Sequence, residues 1–429
     1  MSELPTGWGS VNLFEICRPR QWKTISTRDL LPSGYVVYGA NGEIGFYSEY
    51  THENPTVMIT CRGATCGNIH ISKPFSYING NAMALDDLNE SVSGLRYVNY
   101  FLRSRGFEDV ISGSAQPQIT GEGLRKVSIP IAPLPEQKRI ADKLDAVLAR
   151  VDACRDRLDC IPTILKRFRQ SVLAAATSGK LTEDWRAELD AEYGDNWRTL
   201  ALVDICARIT DGEHISPQKT EDGVPLLTAK NVTARGVDFS NTHFVAPKDA
   251  QIFWKRCHPE PGDILVCSRG TIGRCAEVPE APPFCLMGTV ILLKPNHEMV
   301  VPRYLLFALS APAVQKSMQE ASGATAVSAL YLRDIALLEM AVPGIKEQAE
   351  IVRRVEALFA CADRLEARYT AARAQVEKLT PATLSKAFRG ELVPQDPNDE
   401  PASVLLARIH AQHNEPRAGK PSRSRREPG

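Results

Sequence analysis

Two short arginine-containing segments have the residue types needed to contact an anion or a nucleic-acid base. Residues 61–65 (CRGAT) follow the apolar run TVMIT, and residues 267–271 (CSRGT) follow and overlap the run DILVC. Glycine allows a backbone to approach a phosphate closely, and arginine pairs with phosphate or forms two hydrogen bonds with guanine. A tight strand-to-strand turn explains the same residues equally well, and the two interpretations are compatible.

Other polar side chains are also of the types that contact base edges. Asn and Gln form two hydrogen bonds with adenine, and Lys and Arg do so with guanine. The alternative for each residue is an exposed side chain without a ligand. The candidates are Tyr38, Asn41, Arg62, Gln116, Gln118 and Thr120 in the first half of the chain, and Lys219, Lys230, Asn231, Arg269, Thr271 and Arg274 in the second half.

Motifs typical of a catalytic centre are not found in the sequence. It contains neither the phosphate-binding pattern G-x-x-x-x-G-K-[ST] nor the zinc-binding pattern H-E-x-x-H. The Asn/Asp-Pro-Pro-aromatic signature of an amino-methyltransferase is also missing. The 11 cysteines form no C-x-x-C pair, which favours reduced, mostly buried thiols over a zinc site or disulfides. The sequence therefore indicates binding rather than catalysis, with no metal.

Two globular segments of mixed α and β structure are predicted to carry the candidate residues, at 1–132 and 196–342. Short apolar runs separated by glycine and asparagine turns predict strands in both. WGSVNLFEIC at 8–17 resembles WRTLALVDIC at 197–206, and the helix-like YVNYFL of the first segment returns as YLLFAL in the second. The segments differ most at residues 209–261, where the second is longer. Divergent surface segments on a common scaffold suit two different targets, although neutral drift produces the same pattern.

A second repeated feature follows each globular segment. Residues 133–181 and 343–392 align without a gap at an offset of 211 positions, which a duplication explains most simply. Apolar residues recur every seven positions in two rows, as in a coiled-coil seam. In the first copy these rows are Leu144, Val151, Leu158, Leu165 and Val172, then Val147, Cys154, Ile161, Phe168 and Ala175. In the second copy they are Val355, Ala362, Tyr369 and Val376, then Ile351, Leu358, Leu365, Ala372 and Leu379.

Helix-ending and helix-bending residues recur in both copies. Gly179 and Gly390 are predicted to end the helices in a left-handed cap. Pro162 and Pro381 lie inside the copies, so each helix is expected either to kink there or to restart with the proline in its first turn. An uninterrupted helix of ~40 residues would be ~60 Å long, which is a suitable dimension for a spacer.

Composition and charge limit the class of protein. The chain of 429 residues is 43% hydrophobic and 24% charged, and its 51 basic residues balance 51 acidic ones. A protein that binds nucleic acid through phosphates usually has a basic excess, so this balance indicates help from a partner. No long apolar run or leader-like start is present, which predicts a soluble, cytoplasmic protein without membrane contact. Residues 182–195 are predicted as a linker, and 393–429 as a segment with a short helix at 404–410 and a basic, disordered tail.

The doubled segments identify a family resemblance. PLPEQKRI at 133–140, FRQSVLAAATSGKL at 168–181 and ITCRGATCG at 59–67 resemble the specificity subunit of type I restriction-modification systems over roughly residues 8–412. The second copy begins with PGIKEQ and is less proline-rich than the first. The resemblance implies an α+β fold, in which two mixed α/β target recognition domains in pseudo-repeat are separated by two long antiparallel coiled-coil helices.

The resemblance also implies the function and partners. Each globular segment would recognise one half of a bipartite, asymmetric site in double-stranded DNA, and the helices would set the gap between the halves. Two methyltransferase subunits would dock on the helices, and endonuclease-translocase subunits would join them. The chain would bind no cofactor, because S-adenosylmethionine, ATP and Mg would be used by its partners. The expected partner-binding residues are Glu136, Gln137, Ile140, Glu347, Gln348 and Ile351.

Two alternatives remain open at the level of the sequence. One is a non-catalytic coiled-coil scaffold that binds protein or DNA without sequence preference, which a specificity ratio measured on random DNA would distinguish. The other is an enzyme with an unrecognised site, such as a nuclease, which assays of the purified chain would detect.

Overall fold

A computed structural model describes residues 4–40, 42–113, 116–188, 197–215, 217–323 and 328–414. The predicted basic tail and residues 189–195, which are half of the predicted linker at 182–195, lie outside these ranges. Within the ranges, no helix is both long enough and apolar enough to cross a lipid bilayer.

In its described residues, the first globular segment is built of short strands, three α-helices and a 3₁₀ helix at Thr27–Asp29. Its elements are β1 (Gly9–Asn12), α1 (Leu13–Ile16), β2 (Arg18–Gln21), β3 (Tyr35–Gly39), β4 (Gly42–Tyr47), β5 (Val57–Thr60), β6 (Ile69–Ile71), β7 (Tyr77–Ile78), β8 (Ala82–Asp86), α2 (Leu95–Arg105), α3 (Gly121–Leu124) and β9 (Ser128–Ile131). An antiparallel four-stranded sheet has the order β2-β8-β5-β6, a three-stranded sheet has the order β4-β3-β7, and β1 pairs with β9. The strands and the helix predicted in this segment are confirmed.

The long helix α4 (Leu134–Thr177) follows, and then the shorter α5 (Glu183–Glu188). The second globular segment contains β10 (Arg198–Ala201), α6 (Leu202–Ile205), β11 (Cys206–Asp211), β12 (Val224–Leu227), β13 (Val232–Thr233), β14 (Gly236–Val237), β15 (His243–Val245), α7 (Pro247–Arg256), β16 (Ile264–Cys267), β17 (Cys275–Glu277), β18 (Cys285–Leu286), β19 (Val290–Pro295), α8 (Pro302–Ser310), α9 (Pro312–Ala321), α10 (Leu332–Ala336) and β20 (Glu339–Val342). The chain continues in α11 (Ile345–Phe388) and α12 (Ala402–Asn414).

The second globular segment repeats the sheet topology of the first. Its sheets have the orders β11-β19-β16-β17 and β15-β12-β18, and β10 pairs with β20. In both segments the middle strand of the three-stranded sheet is antiparallel to one neighbour and parallel to the other. Residues 209–261, the segment that is longer than its counterpart in the first half, add the hairpin β13–β14 and helix α7 to this shared scaffold. The predicted pseudo-repeat is therefore confirmed at the level of topology.

The described chain divides into two compact units. Unit 1 comprises residues 1–158 and 372–429, and unit 2 comprises residues 159–371. The core of unit 1 includes Ile140 and Leu144 of α4 and Leu384 of α11, besides the globular segment. The core of unit 2 likewise includes Val172 of α4 and Val355 of α11. Each globular segment therefore shares one hydrophobic core with part of both long helices.

The two long helices run antiparallel within each unit. In unit 2, the Arg169 guanidinium donates to Asp363 Oδ1 at 2.7 Å, while Val172, further along α4, shares a core with Val355, earlier in α11. In unit 1, Arg155 donates to Thr380 Oγ1 at 3.0 Å, while Leu144, earlier in α4, shares a core with Leu384, later in α11. Both helices continue through their prolines, Pro162 and Pro381, so neither helix restarts there. Both capping glycines are left-handed as predicted, with φ of 76° at Gly179 and 72° at Gly390.

The two predicted seam rows of α4 are buried to different extents. The first row of α4 is buried or half-buried as expected, but Cys154 and Phe168 of the second row are exposed. Val147, Ile161 and Ala175 of the second row are half-buried, while Leu148 and Ala176, each four residues after a member of the first row, are buried. A seam alternates spacings of three and four residues, and either order gives the same seven-residue period. Periodicity alone therefore does not determine which neighbouring row is buried.

Candidate nucleic-acid interface

In unit 1, backbone pairing brings two of the predicted base-contacting residues together. Arg62, just after β5, lies opposite Gln118 in an isolated antiparallel bridge. Both side chains are exposed. Ala40, just after β3, is held beside this loop, because its carbonyl accepts from Thr60 Oγ1 at 3.0 Å and from Thr65 Oγ1 at 2.9 Å. Arg62 and Gln118 thus stand on an ordered surface.

The remaining candidates of unit 1 have different environments. Gln116 and Thr120 are exposed near Gln118, and Thr120 Oγ1 also caps α3 by accepting from Gly123 N at 3.1 Å. Tyr38 is buried, and its hydroxyl donates to Glu43 Oε1 at 3.2 Å and accepts from Lys73 N at 3.1 Å. Burial is the main cause that raises the pKa of Tyr38. Burial therefore argues against the predicted contact of Tyr38 with a base. Asn41 lies outside the described residues.

In unit 2, three predicted residues line one cleft. Lys230, Asn231 and Arg269 surround a volume of about 540 Å³. Lys230 and Arg269 are exposed and cationic, and they are carried by the β12–β13 connection and the loop after β16. The cleft can therefore present two cations to an electron-rich base edge or a phosphate.

The other candidates of unit 2 lie apart from this cleft. Thr271 and Arg274 line a second cleft of about 960 Å³, and the Arg274 guanidinium donates to the Val232 carbonyl at 3.3 Å. Lys219 is exposed and lines neither cleft. The six candidates of unit 2 are therefore divided between two clefts and the exposed Lys219.

Asn231 is held inside the protein rather than presented to a ligand. Its amide nitrogen donates to the carbonyls of Asp238 at 3.0 Å and Asn241 at 3.1 Å. Its amide oxygen accepts from Thr228 N at 2.9 Å and from Thr228 Oγ1 at 3.2 Å. Every hydrogen-bonding group of the side chain is engaged by the loop, so the geometry supports a structural role. These bonds argue against the predicted contact of Asn231 with a base.

Replacing Asn231 with alanine is expected to destabilise unit 2 by about 2 kcal/mol, because two loop carbonyls would lose their donor in a buried setting. Chemical denaturation of the purified chain measures this change. Lys230→Ala is the matched control, since an exposed substitution next to it should change stability by less than about 0.5 kcal/mol. Equal stability of the two variants would contradict the structural role of Asn231.

The predicted partner-binding residues begin with a pair of glutamines at equivalent places in the repeat. Gln137 Nε2 donates to the carbonyls of Val92 and Ala132, each at 2.9 Å, and its Oε1 accepts from Ser93 Oγ at 3.0 Å. The side chain therefore ties the first turn of α4 to the loop before α2 in unit 1.

Gln348 makes the same arrangement in unit 2. Its Nε2 donates to the carbonyl of Met299 at 3.0 Å and to that of Pro343 at 2.7 Å, while its Oε1 accepts from Val301 N at 2.7 Å. Both glutamines are buried. This repeated clamp fastens each long helix to its own globular segment.

The glutamates that precede the two glutamines differ in their surroundings. Trp8 Nε1 donates to Glu136 Oε2 at 3.2 Å, and Trp197 Nε1 donates to Glu347 Oε1 at 3.2 Å. Glu347 also accepts from Thr182 Oγ1 at 2.6 Å and forms an ion pair with Arg186.

Among the residues that the structure describes, Glu136 forms no equivalent of that ion pair. Its Oε1 is buried without a hydrogen-bond partner among the residues that the structure describes. Burial is the largest cause that raises the pKa of Glu136, while the Trp8 hydrogen bond opposes it. The two repeats therefore hold the same carboxylate with different electrostatic support.

All six predicted partner-binding residues are buried inside their units. Ile140 and Ile351 belong to the hydrophobic cores, and the two glutamates and two glutamines are engaged by the chain itself. Their contact with a partner stays a prediction, and it has a physical obstacle because none offers substantial exposed surface. Their intramolecular role is to position the helices.

Several residues at these surfaces were not anticipated from the sequence. Ser112 pairs with Gln118 through two backbone hydrogen bonds of 2.9 Å. Asn241 and His243 line the same cleft as Lys230 and Arg269 in unit 2. Their polar side chains were the only signal in the sequence. That signal was insufficient, because their positions depend on pairing between distant parts of the chain.

Comparison with known proteins gives a consistent family assignment. The family described as the type I restriction modification DNA specificity domain matches residues 5–161 and 194–372. The chain is 35% identical over 328 residues to the type I restriction enzyme EcoBI specificity subunit of Escherichia coli, covering 72% of this chain and 69% of that protein. It is 33% identical over 350 residues to the EcoKI specificity subunit of Escherichia coli strain K12, covering 77% and 74% of the two chains.

Solved structures share the fold. A chain from a structure of a type I R-M system superposes with a TM-score of 0.68 at 20% identity, covering 91% of this chain and 100% of the other. The HsdS subunit from Thermoanaerobacter tengcongensis superposes with a TM-score of 0.57 at 20% identity, covering 91% and 98%. These likenesses confirm the predicted fold class.

Proposed function

Because the chain belongs to the family of type I restriction-modification DNA specificity subunits, we propose that each of its globular segments recognises one half of a bipartite, asymmetric DNA site. The observation that supports this most directly is the repeated scaffold with different side chains at equivalent places. The two segments share sheet topology, yet the first presents Arg62 and Gln118 while the second presents Arg269 and Lys230 around a cleft. Two related surfaces of different chemistry suit two different half-sites.

The long helices are proposed to set the gap between the half-sites and to dock two methyltransferase subunits, which endonuclease-translocase subunits join. The clamps at Gln137 and Gln348 support the spacer role, because each fixes a helix to the globular segment beside it. A rigid connection within each unit is needed if the helices are to control where the recognition surfaces meet DNA.

The chain is proposed to recognise DNA without catalysing a reaction itself. S-adenosylmethionine, ATP and Mg are assigned to its partners, and the complex is assigned to the cytoplasm. The balance of 51 basic and 51 acidic residues is consistent with partners that supply part of the phosphate contacts. The alternative of a scaffold without sequence preference is not favoured by the family to which the chain belongs.

Exchanging residues 1–132 for the equivalent segment of a relative with another target is expected to change one half-site and leave the other half-site and the gap unaltered. The physical reason is that unit 2 keeps its own recognition surface. Sequencing of methylated adenines in cells that contain the chimaeric chain and its methyltransferase measures the outcome. The reciprocal exchange of residues 196–342 is the matched control and should alter only the other half. A change in both halves after either exchange would contradict independent recognition.

A further inference from the structure

Arg62 and Gln118 lie opposite each other on two paired segments at the surface of unit 1, and this cross-strand pair is called the rung below. Backbone hydrogen bonds flank the pair, from Gly63 N to the Pro117 carbonyl at 3.1 Å and from Ile119 N to the Cys61 carbonyl at 3.0 Å. In this arrangement the two residues are a non-hydrogen-bonded antiparallel pair, whose Cα atoms lie ~4.5 Å apart and whose side chains share a face. The guanidinium and the amide therefore project side by side.

The rung is ordered but its side chains are uncommitted. Gln118 also pairs with Ser112, so the segment that carries it has backbone partners on both sides. Within the described part of the chain, the side chains of Arg62 and Gln118 form no hydrogen bond or ion pair, and both are exposed. Fixed backbones with free polar ends are suited to recognition, because little order must be imposed when a ligand binds.

We infer that Arg62 and Gln118 act together on two neighbouring base pairs, Arg62 on a guanine and Gln118 on an adenine. This inference rests on the proposed function. Arginine matches guanine O6 and N7, and glutamine matches adenine N6 and N7 in the major groove. Successive bases are stacked ~3.4 Å apart along a strand, which is close to the separation of two opposite residues in a rung. The half-site of unit 1 should therefore contain adjacent G·C and A·T pairs.

The repeat offers an internal comparison for this assignment. In unit 2 the Leu330 amide donates to the Ser268 carbonyl at 2.9 Å, as Ile119 does to Cys61 in unit 1. The Ala329 amide donates to the Ser322 carbonyl at 3.3 Å, as Gln118 does to Ser112. Arg269 therefore occupies the place of Arg62, while Ala329 occupies the place of Gln118.

This difference separates the two recognition surfaces chemically. The arginine is kept, whereas the amide of Gln118 is replaced by the buried methyl group of Ala329. The guanine contact is thus expected in both half-sites, and the adjacent adenine contact through an amide only in the half-site of unit 1. In unit 2, Lys230 lines the same cleft as Arg269 and is therefore the second cation that this cleft can present in place of the amide.

The test uses full-length variants in complex with the methyltransferase, and maps methylated adenines genome-wide. Gln118→Ala should reduce discrimination at one A·T position of the unit 1 half-site on the order of 10- to 100-fold, with the other half-site unchanged. Gln118→Arg should shift the preference at that same position towards G·C. Arg62→Ala should reduce the G·C preference at the adjacent position. Arg28→Ala is the matched control for it, because Arg28 is an exposed arginine of unit 1 in the 3₁₀ helix Thr27–Asp29.

The outcomes distinguish this inference from the function on which it rests. Loss or exchange of preference at one position, next to a G·C pair that depends on Arg62, supports the paired contact. An unchanged motif with both Gln118 variants overturns it while leaving the proposed function intact. Absence of any gapped motif that depends on the wild-type chain rejects the proposed function, and the inference with it.

Discussion

Alanine at position 348 is expected to lower the free energy of unfolding of unit 2 by about 3–5 kcal/mol. The substitution removes the donor for the carbonyls of Met299 and Pro343 and the acceptor for the Val301 amide. It also leaves a cavity, because Gln348 is 0% exposed. Both effects act at the start of α11, where the helix joins its globular segment.

Chemical denaturation measures the loss of stability, and amide hydrogen exchange locates it. Faster exchange is expected in the first turns of α11 and in the loop before α8. Gln375→Ala is the matched control on the same helix, since Gln375 is exposed and its replacement should cost less than about 0.5 kcal/mol. Similar stability of the Gln348 and Gln375 variants would show that the clamp does not hold the helix.

Glu347→Ala is expected to destabilise unit 2 by about 3–4 kcal/mol. Glu136→Ala is expected to destabilise unit 1 by less, the difference being about 2 kcal/mol. Glu347 supports the Arg186 guanidinium, the Thr182 hydroxyl and the Trp197 indole, whereas Glu136 accepts only from the Trp8 indole among the described residues. Because the two glutamates occupy equivalent places, the cavity left by each substitution is similar. The difference therefore isolates the ion pair and the hydroxyl contact.

The pH dependence of stability provides the control for this comparison. Burial raises the pKa of Glu136 in the folded state, so the folded protein binds this proton more tightly than the unfolded chain does. The contribution to stability is complete below the ordinary pKa of a glutamate and is lost as the pH rises through the raised pKa. Glu136→Ala should remove this part of the pH profile. A Glu136→Ala profile that is parallel to wild type, or a Glu347→Ala variant that loses no more stability than the Glu136→Ala variant, would contradict the assignment.

The repeat and its elements could be predicted from the sequence because they depend on local pattern. The offset of 211 residues aligned both helices without a gap, and the helices found at Leu134–Thr177 and Ile345–Phe388 lie within the predicted ranges. Glycine at 179 and 390 indicated the ends, since few other residues accept a left-handed cap. Strands bounded by glycine and asparagine turns could be predicted because they too depend on local pattern.

The surroundings of individual polar residues could not be predicted, because they depend on contacts between distant parts of the chain. Trp8 and Glu136 are 128 positions apart, and no periodicity connects them. The same applies to Gln118, which meets Arg62 only through bridging backbones. Asn231 gave a partial signal, since asparagine favours turns whose backbone it can bond, and its burial follows from that use.

This chain is proposed to determine where adenines are methylated. The most direct measurement is a genome-wide map of methylated adenine in cells that contain this chain and the methyltransferase proposed to bind it, compared with cells that lack only this chain. The account predicts that one split motif with a fixed gap, on either strand of the genome, loses its methylation when the chain is removed. Identical maps from the two kinds of cell, with the methyltransferase present and active in both, would contradict the account.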